Sequence, residues 1–272
     1  MLARTDLGTY LYVLLATILI GIGLVREPDV THPEALTADD EKVRFIGNAR
    51  VSSRQLRAAI GEYPLFDAAG LIDQDALERD LLSISALYWD RGHALVKIGE
   101  PVIPPSRDAV SIPIEEGPVF RIGRVTVTGE LIGSARANLA MTRIRPGALF
   151  SRSAITRDCT ALSDFYQDQG YAYVNVLPLT KIDLDRKTIG LTLEITRGKR
   201  ASFERIDVVG NSKTKAETIR STMGIAEGDP FTNKDLVWGK QRLQALGLDD
   251  IVLVTQQGSS DERVVLTIEV HE

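Results

Sequence analysis

Cysteine and histidine are scarce in this chain, and their scarcity excludes several kinds of site. The 272 residues include a single cysteine, Cys159, so an internal disulfide framework and a cysteine-based zinc site are both excluded. The three histidines, His32, His93 and His271, fall in different parts of the chain and do not form a metal-binding cluster. The sequence therefore predicts no metal site and no cofactor.

Basic residues are also too few to suggest a nucleic-acid-binding protein. Lys and Arg number 32 against 37 Asp and Glu, which gives a net charge of −5, whereas such proteins usually carry a basic stripe. No carboxylate pair, catalytic triad or phosphate-cradling glycine loop recurs along the chain. We therefore expect a protein that is not an enzyme and has no nucleic-acid partner.

One long apolar segment lies near the N-terminus. The run from Leu7 to Val25 contains no charged residue, and a helix of that length would span about 28 Å, close to the hydrocarbon thickness of a bilayer. Residues 1–25 are thus interpreted as an uncleaved membrane anchor or a cleaved signal segment, with a buried core helix as a third alternative. Residues 26–42 are polar, acidic and proline-containing, which is typical of a linker.

The rest of the chain repeats itself. When residues 73–98 are aligned with residues 151–176, nine of the 26 pairs are identical. Among these pairs are Asp80/Asp158, Tyr88/Tyr166, Asp90/Asp168 and Gly92/Gly170. A shift of 81 residues extends the repeat to a third unit, in which Gly129 falls on Gly210 and Phe150 on Phe231. Three related modules are therefore predicted.

Each module shows the same order of elements. A strand with period-two alternation ends before Gly47, Gly129 or Gly210. The first helix is predicted from a capping box at Ser52/Gln55 and at Thr214/Glu217, with only Ser134 in the second module. The second helix begins after Asp73, Ser151 or Thr232 and stops at a glycine, and two strands joined by a hairpin follow.

The predicted fold class is therefore α+β, with three tandem β-α-α-β-β modules at residues 43–118, 119–199 and 200–272. Each module is expected to be a three-stranded mixed sheet covered by two helices, with the hydrophobic N-terminal helix in front. Cys159 replaces Leu81 and is expected to be a small buried hydrophobe. The recurring pairs Arg79-Asp80 and Arg157-Asp158 are expected to form solvated or intermodule ion pairs.

Six short sequences are typical of a known domain family: "VTVTGE", "IDVVGN", "RPGALF", "EGDPF", "YQDQGYAYVNV" and "IPIEEGPVFRIGRV". Together they make residues 43–272 resemble tandem POTRA domains of outer-membrane assembly proteins of the BamA type. The resemblance implies a non-catalytic periplasmic scaffold in a Gram-negative-type envelope. It also implies partners that are unfolded outer-membrane proteins or components of their assembly machinery, and association with the membrane through the N-terminal segment.

The resemblance further implies where such partners bind. An exposed sheet edge offers unpaired backbone N–H and C=O groups, and an extended client segment can pair with them by strand addition. The second strand of each module is the expected edge. The candidate binding residues are Ala94, Leu95, Val96, Lys97 and Ile98, then Ala172, Tyr173, Val174, Asn175 and Val176, and finally Ile251, Val252, Leu253 and Val254.

Two alternatives to client binding remain open from the sequence. The modules could act as a membrane-anchored structural connector in a divisome or secretion complex. The chain could also be the N-terminal part of a BamA-type protein that lacks its barrel.

Overall fold

The computed structural model describes residues 42–61 and 64–271, which fold as three consecutive repeats of one unit. The first repeat contains β1 (Val43–Ile46), α1 (Ser53–Ala59), α2 (Gln74–Asp90), β2 (Lys97–Ile98) and β3 (Val110–Glu115). The second contains β4 (Arg121–Gly129), α3 (Ala135–Met141), α4 (Arg152–Gln167), β5 (Asn175–Asp183) and β6 (Thr188–Thr196). The third contains β7 (Ser202–Val209), α5 (Ala216–Met223), α6 (Asn233–Ala245), β8 (Asp250–Gln257) and β9 (Arg263–His271). The predicted α+β class and β-α-α-β-β order are confirmed.

The predicted N-terminal helix lies outside the described residues. None of the helices within residues 42–61 and 64–271 combines the length and the apolar character needed to cross a bilayer.

Every repeat has a three-stranded sheet with its last strand in the centre. The strand orders are β1-β3-β2, β4-β6-β5 and β7-β9-β8. The first strand pairs in parallel with the central one and the second strand pairs antiparallel to it, as the registers of the first and third sheets show. The sheets are therefore mixed, as predicted.

One face of each sheet packs under helices and forms a core. In the first repeat Leu56, Ile84 and Tyr88 from the helices are buried with Ile112 from the central strand. The third repeat buries Ile219, Met223 and Leu243 in the same way against Phe203 and Leu266. Truncating a fully buried side chain of this size typically costs about 2–5 kcal/mol, so these clusters hold each sheet to its helices.

The glycine after the first strand has a steric reason in all three repeats. Gly47, Gly129 and Gly210 have positive φ, and a Cβ at each would collide with the carbonyl oxygen of a residue in the central strand. Those carbonyls belong to Ile114, Ile195 and Val270. Only a residue without a side chain fits the turn that leads into the first helix.

Most of the predicted helix starts are confirmed. Ser52 and Gln55 form the capping box of α1, and Asp73, Ser134 and Thr232 each accept a hydrogen bond from the third helical N–H. The capping box predicted at Thr214 and Glu217 is wrong, because α5 begins at Ala216 and its N-cap is Lys215, which makes no side-chain cap bond.

Burial of the Asp80 and Asp158 carboxylates corrects another expectation. Asp158 is 3% exposed, and its Oδ2 accepts the backbone N–H groups of Arg143 and Ile144, both at 2.8 Å. Asp80, 6% exposed, accepts the N–H of Gly61 at 3.3 Å, and burial raises the pKa of this carboxyl. These aspartates are buried rather than solvated. They accept backbone N–H groups that follow the first helix of their repeat.

Cys159 is half-buried, like Leu81 at the equivalent position. Burial, followed by the neighbouring Asp158 charge, raises the pKa of its thiol to about 12. Such a thiol is protonated at neutral pH and therefore unreactive.

The chain comprises two compact units. One consists of residues 125–144, 155–179 and 192–272, and includes the whole third sheet and the first five residues of β5. The other includes the whole first sheet together with residues 145–154 and 180–191.

Candidate functional site

In the second and third repeats the two edges of the sheet differ in how far the chain itself covers them. The edge formed by the first strand meets the loop before the second helix there, through the bridges Arg121↔Leu149 and Ser202↔Pro230. Additional hydrogen bonds support this cover; for example, Phe203 N–H donates to Asp229 C=O at 2.9 Å. The opposite edges are β2, β5 and β8, and within the described residues no strand pairs with their outer sides. The open edges are therefore the second strands.

The backbone pattern of β8 shows which of its groups point outward. Gly258 N–H donates to Arg263 C=O at 2.8 Å, and the regular register pairs Gln256 with Val265. Hydrogen-bonded and non-hydrogen-bonded pairs alternate along an antiparallel ladder. The even-numbered residues of β8 therefore bond to β9, and the outward N–H and C=O groups belong to Ile251, Leu253, Thr255 and Gln257.

The open edge of the second repeat is one residue longer than β8 but carries a proline. Strand β5 runs for nine residues, and Leu177 and Leu179 are 40% and 38% exposed on one of its faces. Pro178 lies between them and has no N–H to donate. Proline in a sheet is confined to edge strands, starts and bulges, so its presence agrees with the edge position of β5.

The first repeat has hardly any open edge. Strand β2 consists of Lys97 and Ile98 alone, and prolines follow at positions 101, 104 and 105. An exposed ion pair joins Lys97 to Glu115 of the neighbouring strand at 3.3 Å. Beyond β2, only Gly99 and Val102 among the described residues bond to the central strand, so this edge is short and interrupted and offers few backbone groups to a client strand.

The structure moves some of the predicted binding residues out of the strands. Ala94, Leu95 and Val96, and likewise Ala172, Tyr173 and Val174, precede β2 and β5 and form turns instead. Each turn closes on the helix-stopping glycine, since Ala94 and Ala172 N–H donate to Gly92 and Gly170 C=O at 3.0 and 3.2 Å. The prediction that these residues are strand is therefore wrong. Lys97, Ile98, Asn175, Val176 and Ile251 to Val254 do lie in edge strands.

Ala172 and Tyr173 have a different surrounding from an open edge. Both pack against the core cluster of the third repeat. The Tyr173 hydroxyl donates to the carbonyl oxygens of Arg263 at 2.6 Å and Gln256 at 3.3 Å. Burial raises the pKa of this phenol. Tyr173 thus belongs to the joint between the second and third repeats.

An equivalent joint links the first and second repeats. We call each of these two joints a carboxylate joint, because an aspartate of one repeat bonds to the long helix of the next. Asp90, at the end of α2, accepts the backbone N–H of Ser153 at 2.8 Å. Asp168, just after α4, accepts the N–H of Lys234 at 2.9 Å and pairs with the Lys234 ammonium at 3.2 Å. In both cases the donor is the second residue of the next repeat's long helix, where free N–H groups and the helix dipole favour a negative charge.

A backbone hydrogen bond recurs beside each carboxylate. Phe120 N–H donates to Gly92 C=O at 2.8 Å, and Ala201 N–H donates to Gly170 C=O at 2.9 Å. In the sequence, the Asp90/Asp168 and Gly92/Gly170 identities indicate only a helix-to-strand turn. Two features together would have indicated the joint: an aspartate two residues before that glycine, and a capped start of the long helix in the following repeat.

The first repeat contains a buried carboxylate, Glu116, that the sequence does not predict. It is 8% exposed and accepts the N–H groups of Arg50 and Val51 and the hydroxyl of Tyr88, at 2.8–3.0 Å. Burial alone would raise the pKa of Glu116, but these hydrogen bonds lower it. Its partners are all structural groups, so Glu116 pins the end of β3 to the turn before α1.

Comparison with known proteins agrees with this architecture. The POTRA family profile, described as "Surface antigen variable number repeat", matches residues 41–117, 120–198 and 201–272. The outer membrane protein assembly factor BamA of Nitratidesulfovibrio vulgaris is 26% identical over 214 residues, which cover 75% of this chain and 27% of that protein. BamA of Neisseria meningitidis serogroup B is 25% identical over 236 residues, covering 82% of this chain and 29% of that protein.

A solved structure shares the fold. The crystal structure of Haemophilus influenzae BamA POTRA3-5 superposes with a TM-score of 0.71 and 23% identity, over 85% of this chain and 94% of that one. The chain spans less than a third of the length of the two BamA relatives. Three sheets of order first-last-second, each under two helices and matched in turn by the same profile, show that the chain belongs to the POTRA family and consists of tandem POTRA domains of the BamA type.

Proposed function

We propose that the chain is a non-catalytic scaffold that binds extended, unfolded outer-membrane proteins by strand addition to β5 and β8. The observation that carries the proposal is the pair of long second-strand edges whose outer sides no described strand covers. Strand addition draws its affinity from backbone hydrogen bonds and therefore tolerates many client sequences. The proposed location is the periplasm of a Gram-negative-type envelope, with residues 1–25 attaching the chain to a membrane.

Exposed apolar side chains at both edges support an amphipathic client. Leu177 and Leu179 on β5 and Val252 on β8 are 38–44% exposed. Side chains alternate between the two faces of a strand, so a client strand with an apolar residue at every second position covers these three side chains. Strands of membrane β-barrels have this alternation.

In-cell photo-crosslinking tests the proposal. A photoreactive amino acid at position 177 or 252 is expected to capture nascent outer-membrane proteins or assembly components. The control is position 82, because Leu82 on α2 is 68% exposed and lies outside every sheet. Capture at 177 and 252 but not at 82 supports strand addition, whereas equal capture at all three positions, or none, contradicts it.

The carboxylate joints favour a second candidate function, that of a structural connector in an envelope complex. Both joints repeat the same aspartate and glycine bonds, which suits a connector built from similar repeats. A connector is expected to co-purify with one partner at fixed stoichiometry and to bind no unfolded peptide, which distinguishes it from the client-binding scaffold.

A further inference from the structure

Tyr173 brings the ends of the two long open edges together. It lies two residues before Asn175, the first residue of β5, and its hydroxyl donates to the carbonyl of Gln256, the next-to-last residue of β8. The C-terminal end of β8 therefore lies within one side-chain length and a 3.3 Å hydrogen bond of Tyr173, two residues before β5 begins. Residues 172–179 and the whole of β8 belong to the same compact unit.

A partner that pairs with both edges needs an unpaired stretch opposite residues 173 and 174, where the chain precedes β5 and is not strand.

Several contacts hold this meeting point in place. The Tyr173 hydroxyl also donates to Arg263 at 2.6 Å, and the Tyr173 ring packs on the core of the third repeat. Asp168 bonds both the backbone and the side chain of Lys234, and Gly170 accepts the N–H of Ala201. Because no ordering of the joint is then needed on binding, the second edge is presented at low entropic cost.

The first repeat lacks both features. Leu95 occupies the position equivalent to Tyr173 and has no hydroxyl to donate, and β2 offers only two residues. The arrangement is therefore specific to the second and third repeats.

From these observations we infer that the open edges of β8 and β5 act together as one acceptor for a single extended polypeptide segment. This inference rests on the proposed function and adds the length and pattern of the client. Eight residues pair with β8 and up to five with the part of β5 in the same compact unit, so the segment has about 16 residues including the passage, with apolar side chains alternating in both halves. When one segment binds both edges, the second binding event takes place at a high effective concentration. The overall affinity then exceeds that of either edge alone by about 10²–10⁴-fold.

Fluorescence anisotropy with the full chain and labelled synthetic peptides tests the inference. The short peptide has eight residues with alternating valine and threonine, and the long peptide joins two such segments through Gly-Ser-Gly. A third peptide is the long one with proline at alternate positions of its second half, which removes outward pairing there. The long peptide is expected to bind at least about tenfold tighter than the short one, and the proline-containing peptide like the short one.

The possible outcomes separate the inference from the function on which it rests. If the short peptide binds and the long one gains no more than the twofold statistical factor, the joint acceptor is wrong and strand addition stands. If none of the peptides binds, the proposed function itself is contradicted. If the proline-containing peptide keeps the full gain, the second half does not pair with an edge, and the inference is again overturned.

A pair of double variants tests the role of the joint. Tyr173→Phe with Asp168→Ala removes the hydroxyl and carboxylate contacts but keeps the aromatic ring. The control, Tyr171→Phe with Asp90→Ala, also removes one phenol hydroxyl and one carboxylate. Tyr171 is two residues before Tyr173, and Asp90 belongs to the carboxylate joint between the first and second repeats. The first variant is expected to lower the long-to-short affinity ratio at least threefold with short-peptide binding unchanged, and the control to leave the ratio unaltered. An unchanged ratio in the first variant, with its thermal unfolding still cooperative, contradicts coupling through this joint.

Discussion

At the scale of single residues, carboxylates serve as acceptors for backbone N–H groups that the turns leave without a partner. Asp158 accepts two such groups after α3, and Glu116 accepts two before α1. A buried N–H group without a hydrogen-bond partner costs about 1–3 kcal/mol, so each of these carboxylates contributes substantially to the stability of its loop. In the third repeat the position of Asp158 is Gly239, where a Cβ would collide with Met223.

Asp158→Ala is expected to lower the free energy of unfolding by about 2–4 kcal/mol, because it leaves the Arg143 and Ile144 N–H groups buried and unbonded. Urea denaturation of the full chain measures the change. Arg157→Ala is the matched control, since its exposed side chain is next to Asp158, and we expect a change within about 0.5 kcal/mol. Equal losses in both variants would contradict the assigned role of Asp158.

Glu116 gives the first repeat an acid-sensitive contribution. Its pKa in the folded chain is lower than the ordinary value of 4.5. The ionised carboxylate therefore stabilises the fold above pH 4.5, and this contribution is lost as the pH falls through the lowered pKa. We expect the stability of the wild type to fall more steeply below pH 4.5 than that of Glu116→Gln, as measured by denaturant unfolding at a series of pH values.

The comparison with Glu116→Gln also removes the effect of Asp80. Burial raises the pKa of Asp80, so its contribution to the pH dependence has the opposite sign. It is present in both proteins and cancels in their difference. Parallel pH curves would show that Glu116 does not carry the acid sensitivity.

At the scale of elements, the two long edge strands are open to different degrees. In β8 the four outward residues, Ile251, Leu253, Thr255 and Gln257, keep both backbone groups. In β5 the proline at position 178 removes one N–H from the strand. Proline on an edge is a common device against uncontrolled sheet pairing. We therefore expect β8 to be the stronger acceptor of the two.

Proline substitution at neighbouring positions of β8 separates binding from folding. Thr255→Pro removes an outward N–H, so peptide binding is expected to weaken at least about tenfold while the β8–β9 ladder survives. Gln256→Pro removes an inward N–H, and we expect it to cost about 1–3 kcal/mol more stability than Thr255→Pro. Peptide anisotropy and thermal unfolding of both variants measure these effects. Weaker binding by Gln256→Pro alone would mean that the outward groups of β8 are not the acceptor.

The sequence predicts the elements of the fold better than their ends. Repeat alignment and glycine positions predict all three β-α-α-β-β units, because core burial and helix capping act locally and leave period-two and i, i+4 patterns. Residues 94–96 and 172–174 have the alternating sequence pattern of a strand. In the structure they form turns instead, because the chain passes there from the end of the helix to the sheet. Tyr173 appears in that alternation as an outward residue, but tertiary packing decides its place.

At the scale of the whole molecule, the carboxylate joints link successive repeats through the same two bonds. Each joint combines an aspartate at a helix N-terminus with a glycine carbonyl bonded to the next repeat. At Gly92 the fit is close: φ is +87°, and a Cβ would lie 2.8 Å from a methyl carbon of Leu149. Long-range contacts of this kind leave no periodic signal in one sequence, which is why the joints were not predicted.

Loss of Asp168 is expected to loosen the second joint. Spin labels at Thr128→Cys and Gln241→Cys, both exposed and in one compact unit, should give a broader distance distribution in Asp168→Ala than in the wild type. Cys159 needs no replacement, since its thiol, with a pKa of about 12, reacts slowly at neutral pH. Electron–electron double resonance measures the distribution, with Asp90→Ala as control. An equally narrow distribution in all three proteins would show that the Asp168 bonds do not hold the joint.

The carboxylate joint also restricts the order in which the repeats can follow one another. A downstream repeat must offer a neutral or basic second residue in its long helix, and Ser153 and Lys234 meet this requirement. The first repeat has Asp75 there, and the third has Ala245 where the upstream repeats have aspartate. Moving the first repeat behind the second would place Asp168 against Asp75, two like charges at one helix start. The repeats are therefore not interchangeable, because the same three repeats in another order would not form the same carboxylate joints.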